Sequence, residues 1–132
     1  MLNKAQRFGL AGEALAAEIL EGAGYRILAR NYRTKLGEID IIAREGEVLV
    51  FVEVKARAAG GLYGNPKYAV NHAKQRRLSR AALHYLKETG RLGCRARFDV
   101  VSILSGEGDV RWEIVRNARS EERRVGKGWR SR

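Results

Sequence analysis

The chain has 132 residues, 45% of them apolar and 31% charged, as expected for one globular domain. It contains no run of the ~18 apolar residues that a membrane-spanning helix needs, and its first residues lack the apolar segment of a signal peptide. The single cysteine, Cys94, excludes an intramolecular disulfide and a cysteine-rich zinc site, so we expect a cytosolic protein.

Charge is the most informative feature of the composition. The chain carries 26 Lys and Arg against 15 Asp and Glu, a net charge of +11, which favours a polyanionic partner, above all nucleic acid. Residues 119–132 contribute to this excess, but they lack apolar periodicity and resemble the translation of a sequencing adapter. We therefore expect a disordered basic tail or a sequence artefact there. Without it, 20 basic against 13 acidic residues leave +7.

The predicted elements form a single α/β domain over residues 1–118. Residues 3–23 are typical of a helix, and a stripe of small residues that includes Glu13 predicts that this carboxylate faces protein. The remaining elements are strands at 25–32, 38–44 and 47–56, with turns at 34–37 and at Glu45-Gly46, then a helix at 67–88 and strands at 97–104 and around 110–114.

The second predicted hairpin carries the residues best suited to chemistry. Its second strand is apolar on both faces, as in the middle of a covered sheet, except for Glu53 and Lys55. Side chains alternate along a strand, so these two share one face. If the turn holds two or four residues, Arg44 pairs with Glu47. Asp40 then lies on the same face, diagonal to Glu53 and ~7–8 Å from it at Cα.

The expected burial of these charged side chains favours a metal site. Charged groups in an apolar strand are costly unless they are paired or bind a metal. The carboxylates of Asp40 and Glu53 outnumber the single cation of Lys55, and hard oxygen ligands suit Mg²⁺ or Mn²⁺. Such an ion polarises a phosphodiester and lowers the pKa of a bound water. Lys55 would then stabilise the developing charge or help to deprotonate the water. The alternative is a structural ion pair between Glu53 and Lys55, with Asp40 in a turn.

These motifs, taken in order, resemble a nuclease family. Gly37-Glu-Ile-Asp40 followed by Phe51-Val-Glu-Val-Lys55 resembles the PD-(D/E)XK nuclease core. The chain is more closely similar to YraN-type bacterial proteins, a group similar to archaeal Holliday-junction resolvases. That closer resemblance includes the segments Gly12-Glu-Ala-Leu-Ala16, Asn31-Tyr-Arg33 and Arg97-Phe-Asp-Val100.

The resemblance implies a restriction-endonuclease-like αβββαβ core, a mixed central sheet flanked by helices. It also implies that Asp40 and Glu53 are metal ligands, that Lys55 is the catalytic lysine and that Glu13 is an auxiliary acid. The proline that often precedes the motif aspartate is absent, and Glu38-Ile39 stands in its place.

A nucleic-acid interface is predicted on the second helix, because that helix follows the candidate site and is rich in cations. The alternative is an ordinary solvated helix face. The residues that we expect to contact phosphates are Lys67, Lys74, Arg76, Arg77 and Arg80. Among the other polar residues, Asp99 is expected to bind a nearby arginine or a backbone group, and the widely spaced His72 and His84 cannot share a metal.

Three classes of function compete. The first is a Mg²⁺- or Mn²⁺-dependent endonuclease that acts on structured or branched DNA. A homodimer is compatible with this function, because resolvase-like folds often act as dimers. The second is a nucleic-acid-binding module that keeps the fold without turnover, for which a basic surface would suffice. The third, a partner-binding domain, predicts a large apolar surface stripe that the sequence does not show.

Overall fold

The computed structural model of the chain describes residues 4–58, 72–106, 108–118 and 124–131. Its elements are α1 (Lys4–Gly22), β1 (Arg26–Thr34), β2 (Gly37–Glu45), β3 (Val48–Ala58), α2 (His72–Glu88), β4 (Ala96–Ser105), β5 (Asp109–Arg116) and β6 (Arg124–Ser131). Among the described residues, no helix is long and apolar enough to span a membrane.

The six strands form one mixed sheet in the order β1-β2-β3-β4-β5-β6. All neighbours pair antiparallel except β3 and β4, which run parallel. A parallel pair needs a crossover connection, and α2 lies in it. The predicted α/β class and the αβββαβ order are thereby confirmed.

The two helices cover opposite faces of the sheet. One core, here called the α1-side core, packs Ala16 and Leu20 of α1 against strand residues such as Val50 and Val52. The other, the α2-side core, packs α2 against strand residues such as Phe51. Because β3 contributes alternate residues to both cores, its apolar character on both faces is explained.

The β2–β3 turn differs from the predicted one by one residue. Glu45 pairs with Val48, so the two turn residues are Gly46 and Glu47 rather than Glu45 and Gly46. Gly46 has φ 60°, the left-handed conformation that glycine supplies in a two-residue hairpin turn. The register consequently shifts by two residues, which keeps the predicted parity of the two strands.

The tail also differs from its expectation. The sequence led us to leave residues 119–132 out of the fold, whereas Arg124–Ser131 pair antiparallel with β5 as β6. The outer edge of β5 presents unpaired backbone donors and acceptors, and an additional extended segment satisfies them. Gly128 lies opposite Trp112, and the indole ring occupies the space that a Cβ at Gly128 would need.

Candidate active site

The site begins at an irregular residue of β1. Arg30 pairs with Ile41 and Tyr32 with Ile39, and between these pairs Asn31 interrupts the regular strand conformation. Asn31 has φ 54°, a left-handed conformation that few residues other than glycine adopt and that asparagine tolerates best.

The interruption reverses which face of the sheet the side chains occupy. Ile41 belongs to the α1-side core, whereas Ile39, two residues away, belongs to the α2-side core. In a regular strand these two side chains would share a face. Simple alternation, on which the predicted common face of Asp40 with Glu53 and Lys55 rests, therefore fails at Asp40, because the backbone of β2 turns between Ile39 and Ile41.

Asp40 is directed at the edge of β3. Its Oδ2 accepts a hydrogen bond of 2.8 Å from the backbone N–H of Val54, and donors of this kind lie in the plane of a sheet. The β2–β3 ladder ends at the Ile41–Val52 pair, and Asp40 and Glu53 are the next residues beyond it on the two strands. The half-buried Asp40 carboxylate thus lies against the peptide that joins Glu53 to Val54.

Glu53 and Lys55 form a buried ion pair on β3. Lys55 Nζ lies 3.6 Å from Glu53 Oε1, and their side chains are only 8% and 7% exposed. Val52 and Val54 pack in the α1-side core and Phe51 in the α2-side core, so alternation directs Glu53 and Lys55 towards the α2 side. Their predicted common face is confirmed.

Glu13 approaches Asp40 from α1, on the face of the sheet opposite to the one towards which Glu53 and Lys55 are directed. Gly12 brings the helix so close to β3 that a Cβ on it would lie 2.6 Å from Ala56 Cβ. This approach leaves Glu13 only 8% exposed, as the small-residue stripe predicted. Glu13 and Asp40 line a cleft of about 260 Å³ together with Val54 and Ala56.

The pKa of the Glu13 carboxyl is raised by its position in this cleft. Burial raises its pKa above the ordinary value of 4.5, and the negative charge of Asp40 raises it further, while Arg30 and Arg33 act in the opposite direction. Within the described part of the chain, Glu13 Oε1 has no hydrogen-bond partner. A cation in the cleft would relieve both the desolvation and the repulsion.

The donor set fits a hard divalent cation. Carboxylates dominate the region, and Mg²⁺ is commonly held by one or two carboxylates, with water and substrate phosphate completing its shell. The described residues contain no group of three or more His, Cys, Asp or Glu side chains arranged to hold a metal. Asp40 and Glu53 are the residues that would hold the ion. That Glu13 joins them at one ion stays a prediction.

The predicted phosphate contacts lie only partly within the described residues. Arg76, Arg77 and Arg80 are exposed on α2, as an interface requires. Lys67 lies outside the described residues, and so does the side chain of Lys74. Their contact with nucleic acid stays a prediction.

Asp99 has the structural role expected of it. This residue is 1% exposed. It accepts hydrogen bonds from Arg97 Nε (2.9 Å), Tyr25 Oη (2.6 Å) and the backbone N–H of Asn117 (2.9 Å). Arg97 also pairs with Glu45. The network joins β4 to the start of β1 and to the residues after β5.

Sequence reasoning missed two positioning residues, Asn31 and Gly12. Each had a signal: asparagine is the non-glycine residue best suited to positive φ, and a glycine in mid-helix suggests close packing. Neither signal identifies the partner strand, because that depends on contacts distant in sequence.

Comparison with known proteins shows extensive similarity. The model of the family described as "Uncharacterised protein family UPF0102" matches residues 12–103, a range that contains Glu13, Asp40, Glu53 and Lys55. A UPF0102 protein of Desulfosudis oleivorans is 51% identical over 118 residues, 89% of this chain and 94% of the relative. A UPF0102 protein of Symbiobacterium thermophilum is 53% identical over 114 residues, 86% and 96% of the two chains.

Proposed function

The chain belongs to the family UPF0102, and we propose that it is a metal-dependent endonuclease that hydrolyses phosphodiester bonds in structured or branched DNA in the cytosol. The observation that carries this proposal is the Asp40 carboxylate, which accepts a hydrogen bond from the backbone N–H of Val54, the residue between the buried Glu53 and Lys55. A purely structural ion pair would not need a second carboxylate directed at the same peptide.

Each residue has a distinct task in the proposed reaction. Asp40 and Glu53 would hold Mg²⁺ or Mn²⁺, and the bound ion would supply Lewis-acid chemistry for a phosphodiester and for water. Lys55, already close to Glu53, places a positive charge where negative charge develops on the attacked phosphate. Glu13 adds a carboxylate from the α1 side and assists in orienting the water.

The decisive experiment is a cleavage panel. Four-way junctions, flaps, linear duplex and single strands are incubated with the full chain in Mg²⁺, Mn²⁺ or EDTA. We expect metal-dependent cleavage of branched substrates, abolished by Glu53→Gln. The matched control is Glu47→Gln, which removes the same charge from an exposed position at the turn of the same hairpin. Absence of cleavage of every substrate with both metals would refute the proposal.

A second candidate is a non-catalytic nucleic-acid-binding module. It is favoured by the exposed arginines of α2 and by the absence, among the described side chains, of a group of three metal ligands. This candidate predicts salt-dependent binding that is the same in Mg²⁺ and in EDTA, without cleavage. Sedimentation of the free and bound protein tests whether the chain forms the homodimer that resolvase-like folds often form.

A further inference from the structure

A second cleft lies beyond the candidate active site, between the β1–β2 turn and α2. It has a volume of about 480 Å³ and is here called the turn cleft. Its charged lining residues are Arg33, Lys35 and Glu38 from the hairpin and Arg77 from α2. Among the described lining residues, three cations against one carboxylate leave the cleft positive, which favours an anionic ligand.

The hairpin side of the turn cleft is held in one conformation. Thr34 Oγ1 accepts hydrogen bonds from the backbone N–H groups of Leu36 (3.0 Å) and Gly37 (3.1 Å), and it donates one to the carbonyl of Gly37 (3.1 Å). A threonine that closes a turn in this way substitutes for backbone pairing. The cations on the turn are therefore presented from a fixed backbone.

The α2 side of the turn cleft packs directly against the same turn. A Cβ on Gly37 would lie 2.6 Å from the carbonyl oxygen of Arg77, so only glycine allows the turn to rest directly on the α2 backbone. This contact keeps Arg77 next to Arg33 and Lys35. Pre-organisation of this kind lowers the ordering cost of binding.

Glu38, the carboxylate among the described lining residues, does not neutralise the turn cleft. Glu38 Oε2 lies 3.5 Å from Arg33 Nε, but the two side chains are 65% and 74% exposed. Exposed ion pairs contribute little free energy, so Arg33 can exchange Glu38 for a phosphate at small cost.

The position of the turn cleft relates it to the candidate active site. Gly37 and Asp40 lie three residues apart on β2, or ~10 Å at ~3.3 Å per residue. One strand of DNA carries a charge every ~3.4 Å along the helix axis. Because the strand winds around that axis, its phosphates lie farther apart in space than this rise. A strand whose scissile phosphate lies at Asp40 and Glu53 would therefore place a phosphate within a few nucleotides of it in the turn cleft.

We propose that Arg33, Lys35 and Arg77 form a binding site for a backbone phosphate of the nucleic-acid substrate, within a few nucleotides of the scissile bond. The site deepens the proposed function and rests on it for its position along the strand. The ligand is a phosphodiester, which offers non-bridging oxygens to the three cations.

The test uses the full chain and a fluorescent DNA duplex in EDTA, so that binding is measured without turnover. Lys35→Gln/Arg77→Gln removes two cations from the turn cleft. The matched control, Arg26→Gln/Arg44→Gln, removes two exposed arginines from the opposite end of the same hairpin. Thermal unfolding confirms that both double variants remain folded.

We expect the Lys35→Gln/Arg77→Gln variant to lower the slope of log affinity against log salt by ~0.9, the amount for one lost phosphate contact in duplex DNA. The control should leave the slope unchanged. Glu38→Gln should act in the opposite direction and tighten binding by up to about fivefold, the most that loss of an exposed ion pair would give.

A cleavage assay separates this proposal from the proposed function. If the chain cleaves DNA, Lys35→Gln/Arg77→Gln should raise KM and leave kcat unchanged, as loss of uniform binding does. Cleavage combined with an unchanged salt slope would overturn the turn-cleft site alone. Binding that depends on Lys35 and Arg77 without cleavage would support it and overturn the nuclease. If the native chain binds no nucleic acid, both proposals fall.

Discussion

The contact between α1 and β3 allows a sharp test of how the site is built. Gly12 approaches Ala56 so closely that a Cβ on Gly12 would lie 2.6 Å from Ala56 Cβ. Carbon atoms in contact are normally ~3.5–4.0 Å apart, so Gly12→Ala must move the helix away from the strand by about 1 Å. Neither methyl group, that of Ala56 or the one added at position 12, can rotate out of the contact.

Two opposing effects determine the stability of this variant. Alanine favours a helix interior over glycine by ~1 kcal/mol, whereas overpacking typically costs ~1–3 kcal/mol, and a methyl group held by two backbones belongs at the upper end. We expect a net loss of about 1–2 kcal/mol. For a chain of this size, that loss lowers the midpoint of thermal unfolding by about 3–10 °C.

The same helix supplies the control. Gly22, the last residue of α1, has no atom within 4 Å of the position of an added Cβ, so Gly22→Ala should stabilise the protein by up to ~1 kcal/mol. Gly12→Ala should also lower cleavage by ~100-fold, since a displacement of about 1 Å at a catalytic group can have that effect.

A compensating substitution completes the test. Ala56→Gly removes the opposing methyl group, so it should restore stability in the Gly12→Ala background even though it weakens the native protein slightly. If Gly12→Ala proves as stable as Gly22→Ala, or if Ala56→Gly fails to rescue it, close packing does not position Glu13.

Further predictions concern single residues. The Asn31→Gly variant should retain cleavage activity, because glycine adopts positive φ readily. The Asn31→Val variant should lose cleavage activity, and its free energy of unfolding, measured in urea, should fall by ~1–3 kcal/mol, because valine disfavours positive φ. Because the pKa of Glu13 is raised, its ionisation destabilises the metal-free fold as pH rises. Glu13→Gln should therefore unfold at a higher temperature in EDTA at neutral pH, with the difference closing towards pH 4.5. The contribution of Glu45 to stability has the opposite pH dependence. Burial opposes its ionisation, but the hydrogen bonds from Arg116 and Arg97 outweigh burial and lower its pKa below 4.5. Its stabilisation is complete above that pH and lost as pH falls through the lowered pKa, and an acid titration of Glu45→Gln should lack this loss. Asp99→Asn should lower the free energy of unfolding by ~3–5 kcal/mol in urea, because it removes the buried carboxylate that accepts a hydrogen bond from Arg97 Nε. A loss below ~1 kcal/mol would contradict the structural role of Asp99.

Several features of this protein were determined by the sequence alone, because they depend on neighbours along the chain. Alternating and helical periodicities predicted the element order and the α/β class, and glycine predicted the turn near residue 46. The shared face of Glu53 and Lys55 follows from a two-residue spacing on one strand. The burial of Glu13 followed from the small residues around it on α1.

The tertiary structure decided the features that depend on contacts distant in sequence. The register between β2 and β3 differs by two residues from the predicted one because the turn begins at Gly46. The direction of Asp40 depends on the left-handed Asn31 on a neighbouring strand. Strand periodicity carries no information about such an interruption, since the twist arises from pairing between two strands rather than from either one.

The docking of helices on the sheet was equally beyond the sequence. Glycine at positions 12 and 37 permits close approach, but only the fold places Ala56 and the carbonyl of Arg77 against them. The pairing of β6 with β5 likewise needs an open strand edge that no local pattern reveals. Local chemistry specifies which residues can form a site, whereas their distances and directions arise when separate elements pack against one another.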